Sequence, residues 1–195
     1  MKKNLKWWSF YRSPIDNATK KLLDKNLQTD GIACVIGGGS SLSNYADLDL
    51  FKEIPNKSDK YAVFVDGDNG DETKQKEKEK IKARCNNDGA LFCKMPKREI
   101  ENYCRPEKIK SCYVDNIKKK EGEDSQNPCI SEIEALEIEI TDDIDVEKYL
   151  KDLGLSGFKS GNNINIFNSM TKKEWEKADT NSEIKEFIES VYSKI

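Results

Sequence analysis

The chain has 195 residues, enough for one domain or for one domain with a small appendage. Hydrophobic residues make up 36% and charged residues 35%, so a modest core must sit under a highly charged surface. A net charge of −3 gives no global positive field of the kind that marks many nucleic-acid binders, although a local basic surface would still serve an enzyme that acts on nucleic acid.

There is no histidine, which excludes Ser-His and Cys-His catalytic arrangements. Six cysteines are present, and none forms a C-x-x-C pair, so no zinc signature exists. Met1-Lys2-Lys3-Asn4-Leu5-Lys6 leads into tryptophans rather than an apolar leader, and no stretch approaches a membrane span. These features read as a reduced cytoplasmic protein with free thiols.

Residues 1–15 are basic and aromatic, with Trp7, Trp8, Phe10 and Tyr11, and are broken by Pro14. Asp16 or Asn17 is expected to N-cap a helix running through Lys20, Leu22, Leu23 and Leu27, with Gly31 as its stop. Ile32-Ala33-Cys34-Val35-Ile36 reads as a buried strand ending in Gly37-Gly38-Gly39-Ser40-Ser41. A helix is expected over 42–54, ended by Pro55, and then a strand over 61–65. This strand–helix–strand order predicts a parallel α/β unit with a right-handed crossover.

The run Glu72-Thr73-Lys74-Gln75-Lys76-Glu77-Lys78-Glu79-Lys80 is expected to form a helix with a solvated face laced by Glu–Lys pairs. Residues 89–95 read as another strand, and Arg98-Glu99-Ile100-Glu101-Asn102-Tyr103 as the start of a helix after Pro96. Residues 118–130 are expected to be an exposed loop. It would separate an α/β domain at 1–117 from a C-terminal extension at 131–195. That extension reads as an acidic segment up to Tyr149, a Gly/Asn-rich turn at 154–163, and one last helix. Trp175, Ile184, Phe187, Ile188 and Val191 of that helix would pack back on the sheet.

The strand at 61–65 stops at Asp66-Gly67-Asp68-Asn69. Alternate strand residues share a face, so Asp66 and Asp68 are expected to converge at the C-terminal edge, where open α/β sheets place ligands. Two carboxylates there suit Mg²⁺ or Mn²⁺; Asp, Gly and Asn are also good turn formers, so a plain turn explains them equally well. An EF-hand loop starting at Asp66 would place Glu77 at its twelfth position, but the intervening ligands and Gly are absent.

Glu99 and Glu101 could add oxygen ligands, since a two-metal phosphoryl-transfer site must neutralise two cations about 4 Å apart. Equally, acidic residues in a first helical turn satisfy the dipole. Backbone N–H groups at Gly38, Gly39, Ser40 and Ser41 could cradle a phosphate, or simply make a tight turn. The G-K-[ST] ending of a P-loop is missing. Lys159 could offset developing phosphate charge, or be a surface lysine.

Gly37-Gly38-Gly39-Ser40-Ser41, Val65-Asp66-Gly67-Asp68-Asn69 and, about thirty residues later, Arg98-Glu99-Ile100-Glu101-Asn102-Tyr103 each follow a strand. In order and spacing these segments resemble the Toprim (topoisomerase–primase) domain. The version they resemble is that of the overcoming-lysogenization-defect (OLD) nucleases and related phage-defence proteins, over about residues 16–113.

The resemblance implies an α/β fold: a Toprim-like, mostly parallel sheet flanked by helices, with a small helical C-terminal part. It implies a metal-dependent nuclease using one or two Mg²⁺ (or Mn²⁺) ions. Asp66, Asp68 and Glu101, and less directly Glu99, would hold metal, and Lys159 would match the family's downstream lysine. It further implies nucleic acid as substrate, either DNA or tRNA, and an ATPase domain or subunit as partner. It allows a homo-oligomer and involves no membrane.

One departure is serious. The Toprim pattern opens with a strand ending in glutamate, whereas the first glutamate here is Glu53. The chain either starts downstream of that motif or has lost it. In the latter case a catalytically incomplete module acting as a binding or regulatory subunit is expected instead.

Overall fold

In the computed structural model, residues 14–27, 29–30, 62–68, 71–158 and 162–194 are described. The expected strand at 32–36, the glycine-serine loop at 37–41, the helix at 42–54 and Lys159 lie outside them. Helix α1 (Pro14–Leu23) begins at Pro14, whose fixed φ and missing N–H suit a first turn. Asp16 therefore sits inside that turn, where the dipole favours a carboxylate, and is not the cap. The helix ends before Asp24, which is left-handed at φ 55°, so the expected continuation to Leu27 is not made.

The apolar run after Tyr61 forms β1 (Ala62–Val65), followed by α2 (Glu72–Asn87) and β2 (Leu91–Lys94). The strands pair in parallel, with Ala62 opposite Leu91 and Val65 opposite Lys94. The strand, helix and strand expected within 61–95 thus form, while the strand–helix–strand unit expected over 32–65 lies, apart from β1, outside the described residues. Asp71 starts α2 by accepting the Lys74 backbone N–H at 3.1 Å. Only Lys78, Ile81 and Cys85 of this charged helix are buried, a narrow stripe on one face.

Residues 98–103 do not open an α-helix. A short 3₁₀ turn spans Ile100–Tyr103, and its Asn102 side chain accepts the Glu99 N–H at 2.9 Å. Proline at 106 forces Arg105 into an extended conformation, which ends the turn and lets α3 (Pro106–Glu121) start afresh. Helix α3 runs through Lys118, Lys119 and Lys120, all good helix formers, and stops at Gly122 with φ 106°. Asn127 then caps α4 (Pro128–Ala135). The expected loop at 118–130 is accordingly only residues 122–127.

Helices α5 (Val146–Asp152), α6 (Asn163–Ser169), α7 (Lys172–Ala178) and α8 (Glu183–Ser193) complete the described chain. The single last helix read from the sequence is in fact two, α7 and α8. Thr171 and Glu174 box the start of α7. Asp179, 4% exposed, accepts the N–H groups of Ile184 and Lys185 at 3.2 and 3.0 Å and so starts α8.

The described residues are mostly helical around a two-stranded parallel sheet, an arrangement compatible with the α/β class. Ala18 and Leu22 of α1 share one core with Ile109, Leu150, Phe167, Trp175 and Ile188. Among the described residues, most members of this core belong to residues 106–193. Phe187 of α8 meets Phe64 of β1 at 4.9 Å, which docks α8 on the sheet as expected. Among the described residues, no helix is long and apolar enough to cross a membrane.

The Trp175 ring stacks on Phe167 at 5.4 Å, and its Nε1–H donates to Asn17 of α1 at 3.1 Å. Trp175→Ala should cost about 3–5 kcal/mol in urea unfolding. Asn17→Ala should cost about 1 kcal/mol; no change for Asn17→Ala would mean that α1 is not seated on α7.

Candidate functional site

The segment following β1 continues alongside the segment following β2. The Met95 N–H donates to the Val65 carbonyl at 2.9 Å, Gly67 N–H to Lys97 at 3.0 Å and Asp68 N–H to Arg98 at 2.7 Å. Gly67 is required by this approach: a Cβ there would be driven into the Lys97 carbonyl oxygen and would lie 2.9 Å from the Met95 carbonyl oxygen. Asp68 is left-handed at φ 43°. The strand's two-residue alternation therefore lapses, and Asp66 and Asp68 are drawn to different hydrogen-bond partners, although the charge of Asp68 still reaches Asp66.

Asp66 Oδ1 accepts the Ile100 N–H at 3.1 Å and so anchors the 3₁₀ turn. Burial, reinforced by the negative charges of Asp68 and Glu99, raises its carboxyl above the ordinary aspartate value. Asp68 is treated in the opposite way. Its Oδ1 lies 2.8 Å from Lys74 Nζ and its Oδ2 2.6 Å from Lys78 Nζ. Burial alone would push this carboxyl up, but hydrogen bonds and charge from the two lysines outweigh it and hold the group below its ordinary value.

Lys78, only 1% exposed, also donates to the Asp66 carbonyl at 2.6 Å. Gln75 Nε2 donates to the carbonyls of Gly67 and Asp68 at 2.7 and 2.9 Å. The expected solvated face of α2 is thus, at Lys74, Gln75 and Lys78, the clamp that holds the Asp-Gly-Asp loop. Sequence reasoning missed these three residues, although a signal was present: Lys78 shares a helical stripe with Ile81 and Cys85, a core register for a lysine.

Glu99 Oε1 accepts the Val146 N–H at the start of α5 at 3.1 Å. Glu101, 8% exposed, accepts from Asn163 Nδ2 at 3.3 Å. Asp66 therefore sits within electrostatic reach of both Asp68 and Glu99, while Glu101 is tied to the start of α6. Among the described residues, no three Asp, Glu or Cys groups are arranged to hold a metal ion. Mg²⁺ keeps several waters and needs only one or two protein carboxylates, a demand that Asp66 would meet in part. The described residues do not present the set that two ions would need.

Burial pushes the Cys85 and Cys93 thiols up to about 11, so neither is a thiolate nucleophile at neutral pH. The phosphate loop expected at Gly38, Gly39, Ser40 and Ser41, and the lysine expected at Lys159, fall outside the described residues. Comparison with protein-family models, with curated proteins and with solved structures yields no match.

The two aspartates should respond oppositely to neutralisation. Asp68→Asn leaves a buried ammonium facing a neutral amide and should cost about 3–5 kcal/mol in urea unfolding at pH 7. Asp66→Asn keeps the acceptor for Ile100 and removes a charge that the fold disfavours, so it should be neutral or stabilising.

The pH dependence follows from the signs. The Asp68 contribution is complete above the unfolded value of about 3.9 and is lost as pH falls through its depressed folded value. The Asp66 contribution is present below about 3.9 and is lost as pH rises through its raised folded value. The advantage of Asp66→Asn over wild type should therefore grow as pH rises through that window, as read by Tm against pH.

Proposed function

We propose that the loop after β1 is the acidic edge of an OLD-like, Toprim-type nuclease domain that hydrolyses phosphodiester bonds with Mg²⁺ or Mn²⁺. The observation that carries the reading is Asp66, a raised carboxyl at the C-terminal end of a parallel strand with Asp68 and Glu99 beside it. Functional sites collect carboxylates perturbed by burial and by neighbouring charge in this way. A bound Mg²⁺ would act as a Lewis acid and lower the pKa of its water.

The chain's own residues take defined parts. Asp66 and Glu99 are the ligands closest to the strand end, and Asp68 and Glu101 lie further along the same two loops. Lys74, with a half-exposed side chain, places an ammonium at the mouth of the site, where it can meet a phosphate. Lys159 and residues 37–41 would complete the phosphate contacts. Nucleic acid, DNA or tRNA, is the substrate in this reading, and an ATPase domain or subunit is the partner.

A second reading has its own support. Lys74 and Lys78 already supply positive charge to both oxygens of Asp68. That favours a catalytically incomplete Toprim-type module that binds or regulates a partner and leaves the edge free of metal.

Incubation with supercoiled plasmid and Mg²⁺ or Mn²⁺ separates the two readings. The nuclease reading expects nicking that falls at least about 100-fold in Asp66→Ala, the scale for loss of a principal electrostatic group in catalysis. Equal background nicking by both proteins would refute it and leave the regulatory reading.

A further inference from the structure

Between α4 and α5 the chain passes through residues 136–141 without helix, turn or bend. Burial there alternates with the two-residue period of a strand. Leu136, Ile138 and Ile140 pack on the core, while Glu137, Glu139 and Thr141 are exposed. One face of this extended segment is therefore buried and the other is acidic.

Its two edges differ as well. Along an extended chain the N–H and C=O groups of alternate residues point to the same edge. At one edge the Tyr149 hydroxyl accepts the Glu139 N–H at 3.1 Å and donates to the Glu137 carbonyl at 3.5 Å, and Asn102 Nδ2 donates to the Thr141 carbonyl at 2.7 Å. At the other edge the N–H and C=O groups of Ile138 and Ile140 make no hydrogen bond among the described residues. Peptide groups shut away from any partner are rare in proteins, so these are matched by water or by another strand. Ile138, Glu139 and Ile140 line a cleft of about 360 Å³, so open space borders the segment.

Charge selects the strand. Residues 131–147 hold eight carboxylates and neither lysine nor arginine, in a chain whose net charge is only −3. Asp142 and Asp145 are paired with Lys97 and Arg98 at 3.0 and 3.7 Å, whereas Glu137 and Glu139 form no ion pair among the described residues. A second copy of the segment would set these glutamates against their own kind, since like charges on facing strands repel. A strand with lysine or arginine at alternate positions would neutralise them.

We infer that the free edge at Ile138 and Ile140 is a docking surface for an extended, basic segment of a partner protein, which adds to it as a β-strand. Main-chain hydrogen bonds to Ile138 and Ile140 supply the pairing, and Glu137 and Glu139 select the charge. The surface uses neither Asp66 nor Asp68, so it stands apart from the nuclease reading.

The probe is a labelled, end-blocked peptide, Thr-Lys-Val-Lys-Val-Lys-Thr, titrated into the whole chain by fluorescence anisotropy. It should bind, and the Ile138 and Ile140 amides should exchange with deuterium at least about 10-fold more slowly in the complex, as amides drawn into a ladder do. Two N-methylated isomers of the peptide, each blocking one set of alternate amides, carry the same charge. The isomer that blocks the pairing edge should bind at least about 10-fold more weakly than the other, for loss of main-chain hydrogen bonds. Reversing two exposed charges, Glu137→Lys with Glu139→Lys, should weaken the unmodified peptide at least about 10-fold. Reversing Glu132 and Glu134 of α4, exposed and acidic but off the segment, should weaken it less than about 3-fold, the scale of a screened surface charge. No binding, unchanged exchange at Ile138 and Ile140, equal affinity of the two isomers, or equal loss from the two charge reversals would overturn the assignment. So would a concentration-dependent dimer that the peptide disperses, which would make a second copy the occupant.

Discussion

One buried ammonium organises the loop after β1 and the segments joined to it. Lys78 is carried inside by α2 and held between the Asp66 carbonyl and the Asp68 carboxylate, each at 2.6 Å. A lysine so placed is tolerated only with a counter-charge and satisfied N–H groups. Meeting those needs fixes the helix against the loop. The loop in turn fixes the next segment, because Gly67 and Asp68 donate to the Lys97 and Arg98 carbonyls, and Asp66 accepts from Ile100.

From the 3₁₀ turn the order passes to the helical half. Glu99 receives the Val146 N–H, and Asn102 Nδ2 donates to the Thr141 and Ile144 carbonyls at 2.7 and 3.0 Å. The acidic edge is thus a structural joint as well as a candidate site. Its two aspartates have been driven apart in character, one raised by burial and like charge, the other lowered by two lysines. Splitting paired carboxylates in this way is how a fold assigns them different roles. Here it leaves Asp66 raised and without a lysine on its carboxylate, and Asp68 as the group that holds the loop.

Much of this was legible in the sequence where local signals agree. An apolar run ending at Asp66, a charged helical run from Glu72 and a strand stopped by Pro96 gave β1, the start of α2 and β2, although α2 runs on past Lys80 to Asn87. The docking of Phe187 on the sheet was legible too. Failures came where composition and structure part. Lys118, Lys119 and Lys120 look like loop residues by charge but are strong helix formers, and only Gly122 ends α3. The break between α7 and α8 depends on Asp179 turning inward to cap α8, a tertiary fact that periodicity does not carry. The lysine clamp was hidden because lysine at position 78 is polar by type and buried by position.

The central claim is that Asp68 and Lys78 act as a unit, and a double-mutant cycle in urea tests it most directly. Asp68→Asn, Lys78→Met and the double variant are unfolded beside wild type at pH 7. The account predicts a coupling of about 2 kcal/mol or more, with the double variant more stable than the sum of the single losses allows. Single effects that add within about 0.5 kcal/mol would contradict it.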